Sequence, residues 1–304
     1  MDANIRKYMK IGIIHFMAYP STIKGEGPIL ETAQKIAQDP YFDLVEVTWV
    51  KDAANRKALK DVFEQAGIEV KYGAQPRLLT TGLDLNSADE SIRQKAIATV
   101  KEGVDEAIEI GSTSIAFLSG KNVEKDREAA KSRLLDSIIQ ICKYADSKKK
   151  AFPVALEIFD HLIDKKALIG PANDAVDVAE AVKKECNNFG LLADLSHLPL
   201  IGETPALALR PIKKHLVHIH IGNCIMRDKN QVGYGDQHPR FGVAGGENGV
   251  PQLVEFLREL IKIGYLDGKT PKPVSFEVKP LPGESSEIVI ANAKRALEQA
   301  WALV

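Results

Sequence analysis

Four short apolar runs in the second half of the chain each carry an ionisable side chain of metal-ligand type near the carboxyl end. They are Pro153-Val-Ala-Leu-Glu-Ile with Glu157, Gly190-Leu-Leu-Ala-Asp-Leu with Asp194, His215-Leu-Val-His-Ile-His-Ile with His218 and His220, and Pro273-Val-Ser-Phe-Glu-Val with Glu277. Charged groups are rarely buried without a partner. Three carboxylates and an imidazole drawn to one place stay ionised together only with a cation among them, because like charges close together otherwise force protonation. The pattern predicts a metal centre made by Glu157, Asp194, His220 and Glu277. Three oxygens and one nitrogen suit a hard to borderline divalent ion. Mn²⁺, Mg²⁺, Co²⁺ and Zn²⁺ all qualify, and four protein ligands on an octahedral ion leave positions for substrate.

Strands must present these groups. Side chains two apart on a strand share a face, so His218 and His220 point one way while Val217 and Ile219 point the other. By the same parity Ala155 accompanies Glu157 and Ser275 accompanies Glu277, leaving Val274, Phe276 and Val278 for an apolar outer face. Taken singly, each carboxylate reads as well as a helix cap and each histidine as a satisfied core group. Matching positions on four consecutive strands make coincidence a poor account.

The rest of the chain supplies the scaffold. Short β-type runs at 10–16, 43–50, 68–73, 113–119, 153–158, 190–195, 216–221 and 274–278 alternate with amphipathic stretches at 28–38, 53–66, 91–110, 123–144, 174–186, 204–214, 251–263 and 286–301. Strict alternation implies a parallel sheet covered by helices. Eight such units in 304 residues match an α/β fold of the (β/α)₈ TIM-barrel type, with residues 1–304 forming a single domain. The competing open sheet usually shows a glycine-rich turn after its first strand, and Phe16-Met-Ala-Tyr-Pro-Ser contains none. Barrel active sites lie at the carboxyl-terminal strand ends, where Glu157, Asp194, His220 and Glu277 fall.

Composition narrows the ligand. The net charge of −1 and pI near 6.7 provide no field to collect nucleic acid or a membrane surface, so a small polar substrate fits better. Cys142, Cys186 and Cys224 are few, odd in number and widely spaced, which argues against a disulfide framework and for a reducing cytoplasm. The first ten residues lack the apolar stretch of a signal peptide, and no run of 18 apolar residues occurs. Secretion and membrane insertion are not expected; a homo-oligomer is compatible with this reading.

The order Glu, Asp-x-x-His, His-x-His, Asp-x-His, Glu, carried by ALEIFDH at 155–161, ADLSHLPL at 193–200, HLVHIHIGNCIMRD at 215–228, GYGDQHPRFG at 233–242 and SFEV at 275–278, resembles the xylose-isomerase-like barrel superfamily. That superfamily includes ketose 3-epimerases, hydroxypyruvate isomerases, inosose dehydratases and apurinic endonucleases. The resemblance implies a sugar isomerase or epimerase working through an enediolate. Glu157, Asp194, His220 and Glu277 would hold one ion, and Glu157 and Glu277 would carry protons on opposite faces of a ketose. It further implies substrate contacts for His197 and, seven residues after His220, for Arg227.

Departures from the epimerase pattern point elsewhere. Asp160-His161 stands where epimerases have Asn-Arg, so the far end of the sugar should be read differently. Asp236 and His238 resemble the pair that, with the counterpart of His197, holds an additional zinc in the endonuclease branch, which makes a second metal on His197, Asp236 and His238 a further expectation. The extra histidines of that branch are missing from Lys71-Tyr-Gly-Ala-Gln and Phe117-Leu-Ser-Gly-Lys, so DNA repair is disfavoured. His238 and Arg240 would otherwise meet a hydroxyl, carboxylate or phosphate of substrate. Together with Asp160 and His161 they motivate the alternative of a metal-dependent lyase or dehydratase that enolises and then expels a β-substituent.

Overall fold

Eight parallel strands close into a barrel in chain order. They are β1 (Met9–Ile14), β2 (Leu44–Val47), β3 (Glu69–Gly73), β4 (Ile115–Leu118), β5 (Val154–Glu157), β6 (Phe189–Asp194), β7 (Leu216–Gly222) and β8 (Lys272–Glu277). Closure is made by β1, which pairs with β2 on one side and with β8 on the other. A computed structural model describes residues 4–304; residues 1–3, the start of the expected 1–304 unit, lie outside the described residues.

Helices follow the strands because their sequences carry start and stop signals. Asp52 accepts the N–H groups of Ala54 and Asn55 to open Ala53–Ala66, and Gly67 closes it at φ 68°. Asp89 and Gly111 bracket Glu90–Ile110 in the same way. Three short helices emerge directly from strand ends: His15–Ala18 after β1, Gln75–Leu79 after β3 and His197–Ile201 after β6. The first cuts the expected 10–16 strand back to Ile14, and it buries the His15 ring against Thr32, with Nε2 2.7 Å from the hydroxyl.

Parity along the strands separates two environments. Ile219, Ile221, Val274 and Phe276 belong to the large apolar layer between barrel and helices, while Ala116, Ala155 and Leu192 form a separate small apolar cluster. His218, His220, Glu157 and Glu277 are buried on the inner side. Val217 departs from expectation. The register between β6 and β7 shifts so that Leu191 faces Leu216 and Leu192 faces His218, and Val217 is left 44 % exposed. Its side chain sits over Gly190, where an added Cβ would lie 2.4 Å from Val217 Cγ1. The shift brings Asp194 directly beside His220.

Two openings result. The amino-terminal mouth holds a cavity of about 540 Å³ lined by Lys10, Lys71 and Lys213, which meets only Glu46 and His218 of the polar interior. Chemistry in this architecture belongs to the other mouth. Among the described residues no helix is long and apolar enough to cross a membrane.

Candidate metal centre

One ligand atom each from Glu157, Asp194, His220 and Glu277 fall within 4.8 Å of one another, all buried at the carboxyl-terminal mouth. His220 Nδ1 lies 2.8 Å from Glu277 Oε2 and 3.3 Å from Glu157 Oε1. These approaches lack hydrogen-bond alignment, so all three atoms are buried without a hydrogen-bond partner. Burial opposes a proton on His220, yet Glu46, Glu157 and Glu277 outweigh it and hold the ring well above the ordinary imidazole range. The positive charge these carboxylates draw onto the imidazole is what a divalent ion would supply. Burial also pushes the Glu277 carboxyl up to about 7, against the pull of His238 and His220. Orphaned donor atoms and unbalanced negative charge thus fit a cation, in an O₃N donor set.

Three of the four candidate ligands are held from behind. Glu46 on β2 lies 2.6 Å from His218 Nε2 through Oε1, and both its oxygens lie 3.1 Å from His220 Nε2. That fixes His220 with Nδ1 toward the other ligands, the carboxylate–histidine arrangement common at metal sites. Gln75 donates to Glu157 Oε2 at 2.6 Å, and Ser196 donates its N–H to Asp194 Oδ1 at 2.9 Å. At Gly222 an added Cβ would lie 2.5 Å from the Glu277 carbonyl oxygen and 3.2 Å from His238 Nδ1. Only glycine allows these segments to approach so closely.

A second convergence shares Asp194 with the first and adds His197 and His238. His197 donates Nδ1–H to the Ile158 carbonyl at 2.7 Å, which leaves Nε2 toward Asp236, 3.2 Å from its Oδ1. His238 Nε2 is 2.9 Å from the same oxygen, and the residue adopts a left-handed φ of 51°. Such a conformation persists only where the surroundings enforce it. Burial raises the Asp236 carboxyl, but Lys165, His238 and His197 outweigh it and hold the group well below the carboxylate range.

Asp160, His161, Arg227 and Arg240 do not line the cavity above these ligands. The Asp160 carboxylate is claimed by the backbone N–H groups of Ile163, Asp164 and Lys165 at 2.6–2.9 Å, which shapes the loop after β5 instead of facing a substrate. His161 packs over Gly170, whose added Cβ would meet its Cβ at 2.7 Å. Arg227 has a side chain 76 % exposed and lies 3.3 Å from Glu247, and Arg240 donates to Glu284 at 2.8 Å. Arg227 is a surface residue, and Arg240 is partly buried in its pair with Glu284. The glycine-rich segment 242–249 folds back on β7, where Asn248 donates to the carbonyls of Leu195 and Gly222 at 3.1 Å.

The cavity above the ligands is about 200 Å³. Its polar wall includes Glu157, His220, His238 and Glu277 together with three groups that sequence reasoning did not single out, Gln75, Lys165 and Lys279. Phe16, Met17, Ile23, Leu79 and Phe159 make the apolar wall. Gln75 follows a strand end in the same way as His197, which is the one signal that could have found it. Lys165 arrives through an irregular loop that no periodicity describes.

Known proteins of this architecture include a D-psicose 3-epimerase with D-tagatose from Clostridium cellulolyticum H10, 20 % identical over 97 % of this chain and 96 % of that one, with a TM-score of 0.65. An L-ribulose 3-epimerase is 18 % identical over 97 % and 96 % of the two chains, TM-score 0.72. The IOLI protein with a binding zinc atom is 16 % identical over 97 % and 99 %, TM-score 0.73. At these identities the likeness is one of fold. No curated protein sequence matches the chain significantly. The family model described as xylose isomerase-like TIM barrel matches residues 35–298, and the chain belongs to that family.

Proposed function

We propose that this protein is a divalent-metal-dependent isomerase or epimerase acting on a ketose or keto-polyol. The observation that carries the reading is the convergence of Glu157 and Glu277, from β5 and β8, on one nitrogen of His220 beside a cavity of about 200 Å³. Glu157, Asp194, His220 and Glu277 would hold the ion, with Mn²⁺ the expected species. Bound there, it supplies Lewis-acid stabilisation of the negative charge that develops on substrate oxygens.

The chain's own groups do the rest. Glu157, its Oε2 fixed by Gln75, takes the proton α to the carbonyl and leaves the substrate as an enediolate. Glu277 in its protonated form delivers a proton to the same carbon from the β8 side, which inverts the stereocentre. Gln75 Oε1 is buried without a hydrogen-bond partner and accepts a substrate hydroxyl, and His238 borders the same cavity. Phe16 and Phe159 exclude water from the carbanionic stage. The deciding experiment incubates Mn²⁺-loaded protein with a panel of ketoses in D₂O and follows deuterium at the α-carbon by NMR. Exchange that disappears in Glu157→Gln supports the reading; no exchange with any ketose or keto-polyol refutes it.

The apolar wall favours a second reading. Apolar side chains lining the same cavity as the carboxylates suit a substrate with an aglycone, so a lyase that enolises a keto-glycoside and expels the β-substituent shares the first half of the chemistry. Release of a chromophoric aglycone distinguishes the two. Cys142, Cys186 and Cys224 are all free and buried, which favours a reducing compartment such as the cytoplasm.

A further inference from the structure

Beside the first metal cluster, Asp194, His197 and His238 converge within 4.8 Å, and Asp236 Oδ1 lies 3.2 Å and 2.9 Å from the two imidazoles. Two imidazoles and two carboxylates form a donor set that borderline ions such as Zn²⁺ accept. By residue type alone this would be a second metal site. The difference lies on the far side of Asp236. Lys165 Nζ stands 3.1 Å from Asp236 Oδ2, donates to the Asp236 carbonyl at 3.0 Å and donates to Asp164 Oδ2 at 3.1 Å. Two of the ammonium's three N–H groups are thus engaged in hydrogen bonds, and the Asp236 carboxylate is within ion-pair distance of the same nitrogen.

We propose that the Lys165 ammonium is the built-in second cation of this centre, so that the protein takes one divalent ion and not two. The inference rests on the metal reading above. The Lys165 ammonium already offsets the Asp236 carboxylate that a second ion would need. A further divalent ion on Asp236 would sit a few ångströms from the ammonium, in a buried setting where repulsion is weakly screened. The clamp is also mechanical. Asp164 Oδ2 accepts the Asp236 N–H at 2.8 Å while its neighbour Lys165 holds the Asp236 side chain, so the loop after β5 grips the loop after β7 from both sides. Two residues further on, His238 keeps its left-handed backbone.

The test is metal stoichiometry. Chelator-stripped protein is dialysed against ZnCl₂, and bound zinc per chain is read by plasma mass spectrometry and by calorimetric titration. Wild type is expected to bind one equivalent, Lys165→Met and Lys165→Gln two, and Lys165→Arg one, since it keeps the charge. Two equivalents on wild type, or a single equivalent on whichever neutral variant retains the wild-type circular dichroism spectrum, overturns the inference. No zinc on wild type refutes the metal reading itself, a separate and recognisable failure.

Discussion

His220 turns its two ring nitrogens to different carboxylates: Nδ1 lies 2.8 Å from Glu277, and Nε2 lies 3.1 Å from both oxygens of Glu46. One imidazole thus joins the candidate ligands at the mouth to a carboxylate deeper in the barrel. Glu46→Gln keeps the size but loses the charge that orients the ring. Metal affinity should fall about 10- to 100-fold, measured by calorimetric titration with Mn²⁺. Unchanged affinity would mean that strand geometry alone orients His220.

Gly222 separates the end of β7 from the Glu277 backbone. Gly222→Ala places a methyl group 2.5 Å from the Glu277 carbonyl oxygen, so β8 or the loop carrying His238 must move. We expect a loss of about 1–3 kcal/mol in urea unfolding, together with weaker metal binding. Full stability with native affinity would contradict the close approach.

Asp160 and Arg227 separate structural from surface roles. Asp160→Ala removes the acceptor of three backbone N–H groups and should cost about 2–3 kcal/mol of stability. Arg227→Ala should stay within about 0.5 kcal/mol of wild type and leave turnover unchanged. A large drop in turnover for Arg227→Ala at native stability would return it to the substrate site.

His15 gives the fold an acid sensitivity. Burial lowers its pKa from 6.5 to about 4. The unfolded chain takes up a proton near 6.5 while the folded one resists until about 4, so stability is intact above the first value and declines as pH falls toward the second. The gap corresponds to about 3 kcal/mol. His15→Gln should flatten the slope of unfolding free energy between pH 6.5 and 4; parallel slopes would exclude His15 as the cause.

Strand parity made the central cluster legible from sequence. Glu157, Asp194, His220 and Glu277 interrupt apolar runs at equivalent depths, and period-two alternation dictates that they share the interior. Loops have no such rule. Asp160 and His161 follow Glu157 closely in the chain, yet the backbone turns there and spends the Asp160 carboxylate on its own N–H groups. Lys165 reaches the cavity through that same turn. The β6–β7 register shift was equally hidden, because Val217 looks like any alternating strand residue until Gly190 opposite makes room for it.

The most direct measurement is anomalous X-ray diffraction from crystals grown with MnCl₂ and recorded at a wavelength where manganese scatters anomalously. One strong anomalous peak bounded by Glu157, Asp194, His220 and Glu277 is expected. A map with no peak among these four residues, or with manganese bound only elsewhere, would contradict the metal reading.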